Sequence, residues 1–299
     1  MTSAPISIQS ERLTARISTA GAELVRLTLD GVSELQWSGD PAVWKGRAPI
    51  LFPNIGFMAG GSYRYAGRDY AMTKHGFARD MAFAVANQAQ DAVALRLSAT
   101  AETKAIYPFA FELDMVFALS GQTLTMTAIV ANRGNVPMPA SFGFHPAFRW
   151  PLPFGQPRAA HRIVFAEDED APIRRIDAGG LLTPGPQPSP VTGRTLALRD
   201  DLFVDDALIF DRLRSRSLHY GAADGPQLRI DFPDTPMLGI WTKPGAEFIC
   251  IEPWHGLPDP EGFAGDIRDK PGIFIVEPGM AREISMAVTV EPDQRAIVA

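Results

Sequence analysis

The stretch "FELDMVFALSGQTLTMTAIVANRG", residues 111–134, constrains the fold more than any other part of the chain. Phe111, Leu113, Met115, Phe117 and Leu119 alternate with Glu112, Asp114, Val116 and Ala118. Ser120-Gly121 supplies a turn, and Leu124, Met126, Ala128 and Val130 alternate on the way back. A period of two places every second side chain on the same face of an extended strand. Two such runs joined by a glycine turn predict a β-hairpin.

The rest of the chain repeats this grammar in shorter pieces. "ISIQSERLTARIST" alternates weakly, and "AELVRLTLDG" ends in an Asp-Gly turn. "HRIVFA", "RTLALR", "DALIFDRL", "QLRIDFP", "MLGIWTK", "EFICIEP", "GIFIVEP" and "REISMAVTV" are further strand candidates. Convincing amphipathic helices are nearly absent. The 26 prolines and 26 glycines fall mostly between the strand candidates, where turns belong. No fixed-period repeat is present, which disfavours a propeller. Many short strands separated by turns predict an all-β sandwich or barrel. "AGGLLTPGPQPSPVTG", residues 178–193, has strand candidates on both sides and reads as a long loop. The expectation is one domain over residues 1–299.

Composition narrows the function. Apolar residues make up 46% and charged residues 21%, a globular balance that needs no disulfide or metal to hold a core. The net charge of −6 and the lack of a basic cluster exclude nucleic acid as the expected partner. Cys250, the single cysteine, lies in an apolar run and reads as a small buried hydrophobe. "MTSAPISIQS" has no positive segment ahead of an apolar one, so it does not read as a signal peptide. No apolar run reaches the roughly 18 residues needed to cross a bilayer. A soluble cytoplasmic protein without membrane partners is expected.

The polar candidates gather in a few stretches. "TKHGFARD" holds Lys74, His75 and Arg79; it is either a solvated loop or a site that grips oxygens. "SFGFHPAF" sets His145 between Phe144 and Phe148, with Pro146 holding it extended. An imidazole in that wall needs a hydrogen-bond partner, and a satisfied core histidine would serve equally. Glu252 ends the apolar strand "FICI". Burial there raises a carboxyl pKa towards the range useful to a base, although a local salt bridge explains it too. Trp254 and Trp241 offer flat faces for a sugar ring or for the core. "FVDDALIF" places Asp205 and Asp206 before a strand, and "GRAPILFPNIG" places Arg47 before a buried run and Asn54 after it. No H-E-x-x-H, paired C-x-x-C, G-x-S-x-G, P-loop or G-x-G-x-x-G pattern is present, which disfavours metal, hydrolase-triad and nucleotide chemistry.

Together "KHGFAR", "SFGFHPAF" and "IEPWHG", in that order, resemble the aldose 1-epimerase (galactose mutarotase-like) superfamily, particularly its LacX-like branch, through nearly the whole chain. The resemblance implies a large twisted antiparallel β-sandwich, or supersandwich, with a sugar in a cleft on one concave sheet. It implies Glu252 as the base that takes the proton of the anomeric hydroxyl and His145 as the acid that protonates the ring oxygen. It implies that His75 and Asp206 hold sugar hydroxyls, with adjacent Asp205 as the alternative acid. The Asn-Arg pair of the galactose branch has no counterpart in "FPNIGF", so no galactose preference follows, and Arg47 or Arg79 stands for the substrate-binding arginine. Lys74 reads as a solvated neighbour. Trp254 would stack on the sugar. The implied reaction is anomer exchange of an aldose without metal, nucleotide or redox cofactor. A hexose-6-phosphate 1-epimerase and a non-catalytic sugar sensor are the alternatives.

Overall fold

The computed structural model describes residues 4–292. Residues 1–3 and 293–299, the ends of the expected domain and the start of "MTSAPISIQS", lie outside the described residues. Strands dominate, and all strand pairing within the named sheets is antiparallel. The single α-helix among the described residues is one short segment, Ala101–Ile106. No helix among them is long and apolar enough to cross a membrane.

The hairpin forms as its period requires. Phe111–Ser120 pairs with Thr123–Asn132 in unbroken register, from Phe111 opposite Asn132 to Ser120 opposite Thr123. The turn lies at Gly121-Gln122, one residue later than Ser120-Gly121, and Gly121 takes φ +55. All nine alternating apolar side chains, from Phe111 to Val130, are at most 3% exposed. Because one face is buried, a slip of one residue would expose that set, which pins the register. The hairpin lies within a nine-stranded sheet that ends at Thr195–Ala197 on one side and Ala84–Gln88 on the other.

A six-stranded sheet packs over it through a continuous apolar core that runs from Ile8 to Val290. Its central strand, Phe248–His255, is buried on both faces, as the unbroken run "FICIEPW" requires. Ile249 and Ile251 point into the main core, whereas Cys250 and Trp254 belong to separate clusters on the other face. That outer face carries the candidate site. The long loop at 178–193 has no strand of its own; bridges from Leu182 to Ile176 and to Pro260 fold it over that face.

Candidate active site

Register alone brings His145 to Glu252. The strands Phe142–Phe144 and Ala147–Arg149 both pair with Phe248–His255, Gly143 opposite Trp254 and Ala147 opposite Cys250. His145-Pro146 occupies the break between them, across from Glu252. Proline has no N–H for the ladder, so the strand opens there, although the Pro146 carbonyl still accepts the Ile251 amide. His145 Nε2 lies 3.2 Å from Glu252 Oε2. The two are in contact without hydrogen-bond alignment, and His145 Nδ1 and Glu252 Oε2 are both buried and unpartnered within the protein. Such atoms are costly unless a bound group completes them.

Burial shifts both groups towards their neutral forms. Removal from water pushes the Glu252 carboxyl well above its ordinary range; Lys74 counters this, Asp206 adds to it, and the Trp254 indole helps the anion. The indole N–H itself falls short of hydrogen-bond geometry. Burial likewise carries His145 far below the histidine range, with Lys74 and Arg79 adding to the effect. Burial therefore favours the carboxyl over the carboxylate at Glu252 and the neutral imidazole over the imidazolium at His145.

A cavity of about 250 Å³ opens over the pair. His75, Arg79, Asp206 and Trp254 all line it. His75 sits at φ +65, and its Nδ1 accepts the Gly56 amide at 3.0 Å. The following glycine is required, because a Cβ on Gly76 would lie 2.1 Å from the Phe52 carbonyl oxygen. Arg79 is steadied by a bond from Nη2 to the Lys74 carbonyl at 2.8 Å. Asp206, also at positive φ, caps its own turn by accepting the Ala207 amide at 2.7 Å. Buried Arg175 donates to the Asp206 and Ala207 carbonyls from behind. Asp205 is not among the lining residues, so of the two acids it is Asp206 that faces the cavity. The Trp254 indole lies across both flanking strands, where a Cβ on Gly143 or Gly239 would approach it to 2.7 or 2.5 Å.

Arg47 is a correction: it does not line this cavity. Its Nε bonds the Ser38 carbonyl at 2.7 Å, and its side chain turns into a neighbouring groove. Lys74 is another correction, because it lines the cavity and bears on the charge of Glu252, His145 and His75. Its sequence signal was its place next to His75. Trp44, which stacks on the His145 ring at 5.2 Å, carried no signal, since it lies in a turn outside every periodic segment. Trp241 meets the same imidazole edge-on at 6.1 Å.

The fold also assembles a donor set that sequence spacing hides. Nitrogen of His145, sulfur of Cys250 and oxygen of Glu252 lie within 4.8 Å of one another. The thiol is a poor ligand as it stands, because burial and the Glu252 charge both raise its pKa.

The family model described as aldose 1-epimerase matches residues 5–272. This chain belongs to the aldose 1-epimerase family. It is 32% identical over 295 residues to the chromosomal protein LacX of Lactococcus lactis subsp. lactis, covering 95% of this chain and 99% of that one. It is similar to the structure of a galactose mutarotase-like protein from Lactobacillus casei, with a TM-score of 0.88, 29% identity and coverage of 96% and 100%. A galactose mutarotase related enzyme from Lactobacillus acidophilus gives a TM-score of 0.87 at 27% identity, covering 97% and 98%. The fold is therefore the galactose mutarotase-like antiparallel supersandwich, and family membership supports an isomerase that acts on sugars.

Proposed function

We propose that this protein interconverts the α- and β-anomers of an aldose by acid–base ring opening, with Glu252 as base and His145 as acid. The observation that carries the reading is the buried contact between these two groups at the floor of the cavity. In ring opening, the O1 proton passes to Glu252, C1 becomes a carbonyl, the C1–O5 bond breaks, and O5 takes a proton from His145. Rotation about C1–C2 turns the other face of the carbonyl to O5. Closure then runs the same proton transfers backwards.

The neutral pair favoured by burial is the state that closes the ring. A shift of one proton from Glu252 to His145 gives the state that opens it. The cycle returns every proton it takes, and Lys74 favours the carboxylate when it is needed. Asp206, His75 and Arg79 are assigned to sugar hydroxyls, and Trp254 to the apolar face of the ring.

A specific observation favours a second reading, a sugar that carries an anionic group. A larger groove joins the cavity at Trp44, Pro49 and Arg79 and includes Arg16, Lys45 and Arg47. Of the two acids that line it, Glu23 accepts the Arg47 and Ala48 amides and Asp80 pairs with Arg79. Exchange NMR on fresh anomers of free and 6-phosphorylated aldoses tests both readings. Exchange of free sugars supports the first, and a large preference for phosphorylated ones the second. Binding without exchange in either series would establish a sugar sensor instead.

A further inference from the structure

Behind the cavity lies a buried ionic group that takes no part in the chemistry above. Lys270 Nζ pairs with Asp259 Oδ1 at 2.5 Å and bonds Asn54 Oδ1 at 3.0 Å. Asn54, Asp259 and Lys270 are 0%, 3% and 3% exposed, and none of them lines the sugar cavity. A buried ion pair is a weak source of stability, because desolvation consumes most of its Coulomb gain. Its connections suggest another use.

Lysine only donates hydrogen bonds, so Asn54 must turn its oxygen to Lys270. Its Nδ2 then donates to the Gly56 carbonyl at 3.0 Å. The same carbonyl accepts the His75 amide at 2.8 Å, while the Gly56 amide donates to His75 Nδ1 at 3.0 Å. Asp259 anchors the far end by accepting the Ala59 amide at 2.9 Å. The directions of these bonds run one way, from the ammonium to the imidazole. A nitrogen that accepts an amide proton carries none of its own, so neutral His75 must carry its proton on Nε2.

We propose that Asn54, Lys270 and Asp259 are positioning residues that lock His75 in the Nε2–H form, a dedicated hydrogen-bond donor to one oxygen of the sugar. Locked in this way, His75 stays out of the proton exchange between His145 and Glu252, although its ring lies edge-on to His145 at 5.8 Å. The final step, donation to a sugar, rests on the function proposed above; the tautomer does not.

The test is 15N-correlated NMR of the imidazoles in the full chain at neutral pH, with His75 assigned by loss of its signals in His75→Asn. The expected wild-type spectrum shows Nδ1 unprotonated and Nε2 protonated. Asn54→Asp keeps the shape and the Lys270 contact but removes the donor to Gly56. It should mix the tautomers and raise KM about tenfold, with kcat changed less, the scale of one lost hydrogen bond. Lys270→Gln with Asp259→Asn removes the charges at similar size and should produce the same mixing by a second route. A wild-type His75 protonated on Nδ1 or on both nitrogens overturns the proposal, whether or not the variants fold. Wild-type His75 signals retained in both folded variants overturn it as well. The expected spectra in a protein that exchanges no anomers would leave the lock standing and remove the epimerase reading.

Discussion

His145 Nε2 and Glu252 Oε2 lie 3.2 Å apart because the strand carrying the histidine leaves its ladder at Pro146. Two groups that are 107 residues apart in sequence thus meet at the cavity, and burial favours the neutral form of each.

Glu252→Gln and His145→Asn should each lower kcat by about 10²–10⁴, or roughly 3–5 kcal/mol of barrier, with little loss of sugar binding. Both act where protons move, and both replacements preserve size. Saturation-transfer NMR between anomers gives the rate, and a separate titration gives the affinity. Near wild-type exchange by Glu252→Gln at saturating sugar would remove the base assignment and pass it to Asp206.

The two arginines should separate. Arg79→Ala should raise KM for free aldoses at least as much as it lowers kcat, because Arg79 lines the cavity. Arg47→Ala should leave free aldoses nearly unaffected, since its guanidinium is bonded to the Ser38 carbonyl outside the cavity. Steady-state kinetics on both variants decides this, and equal effects would contradict the placement of Arg47.

Gly239→Ala drives a methyl group to 2.5 Å from the Trp254 ring. Overpacking of this kind costs about 1–3 kcal/mol. The indole must shift over the cavity floor, so sugar affinity should fall together with thermal stability. A fall in melting temperature without a fall in affinity would separate Trp254 from sugar binding.

Acid should destabilise the fold well before the carboxylates as a group titrate. Burial holds His75, His145, His161 and His255 below the ordinary histidine range, His255 down to about 4. As pH falls below about 6.5, the unfolded chain binds protons that these folded histidines refuse, which costs about 1.4 kcal/mol per pH unit for each uncompensated proton. Glu252 acts in the opposite sense: its raised pKa gives stability that is present at low pH and lost as pH rises. Four histidines outweigh one carboxyl group, so melting temperature should drop between pH 7 and pH 5. A flat or rising profile would show that the histidines are not held neutral.

Chelators should leave the exchange rate unchanged, and Cys250→Ala should retain it within a few-fold. The reaction needs only proton transfers, and the raised thiol pKa disfavours the ligand that would complete the His145–Cys250–Glu252 set. Activity lost to a chelator and restored by one divalent ion would reverse this.

The sequence by itself determined what depends on near neighbours. The alternation from Phe111 to Val130 specified a hairpin, because burial of one face admits one register. The run "FICI" specified an apolar strand with Glu252 at its end, whereas the folded strand continues to His255 and holds Glu252 inside it. Tertiary structure alone decided which polar groups meet. Arg47 and Arg79 read alike in the chain, yet one turns to the Ser38 carbonyl and the other to the cavity. Trp44 reaches His145 from a turn with no periodicity to betray it. The Lys270–Asn54–Gly56–His75 relay joins segments whose spacing follows no local rule. Periodicity records which face a residue shows to the core, and that is a property of one strand. A site is set by which strands lie side by side, and only the folded sheets fix that.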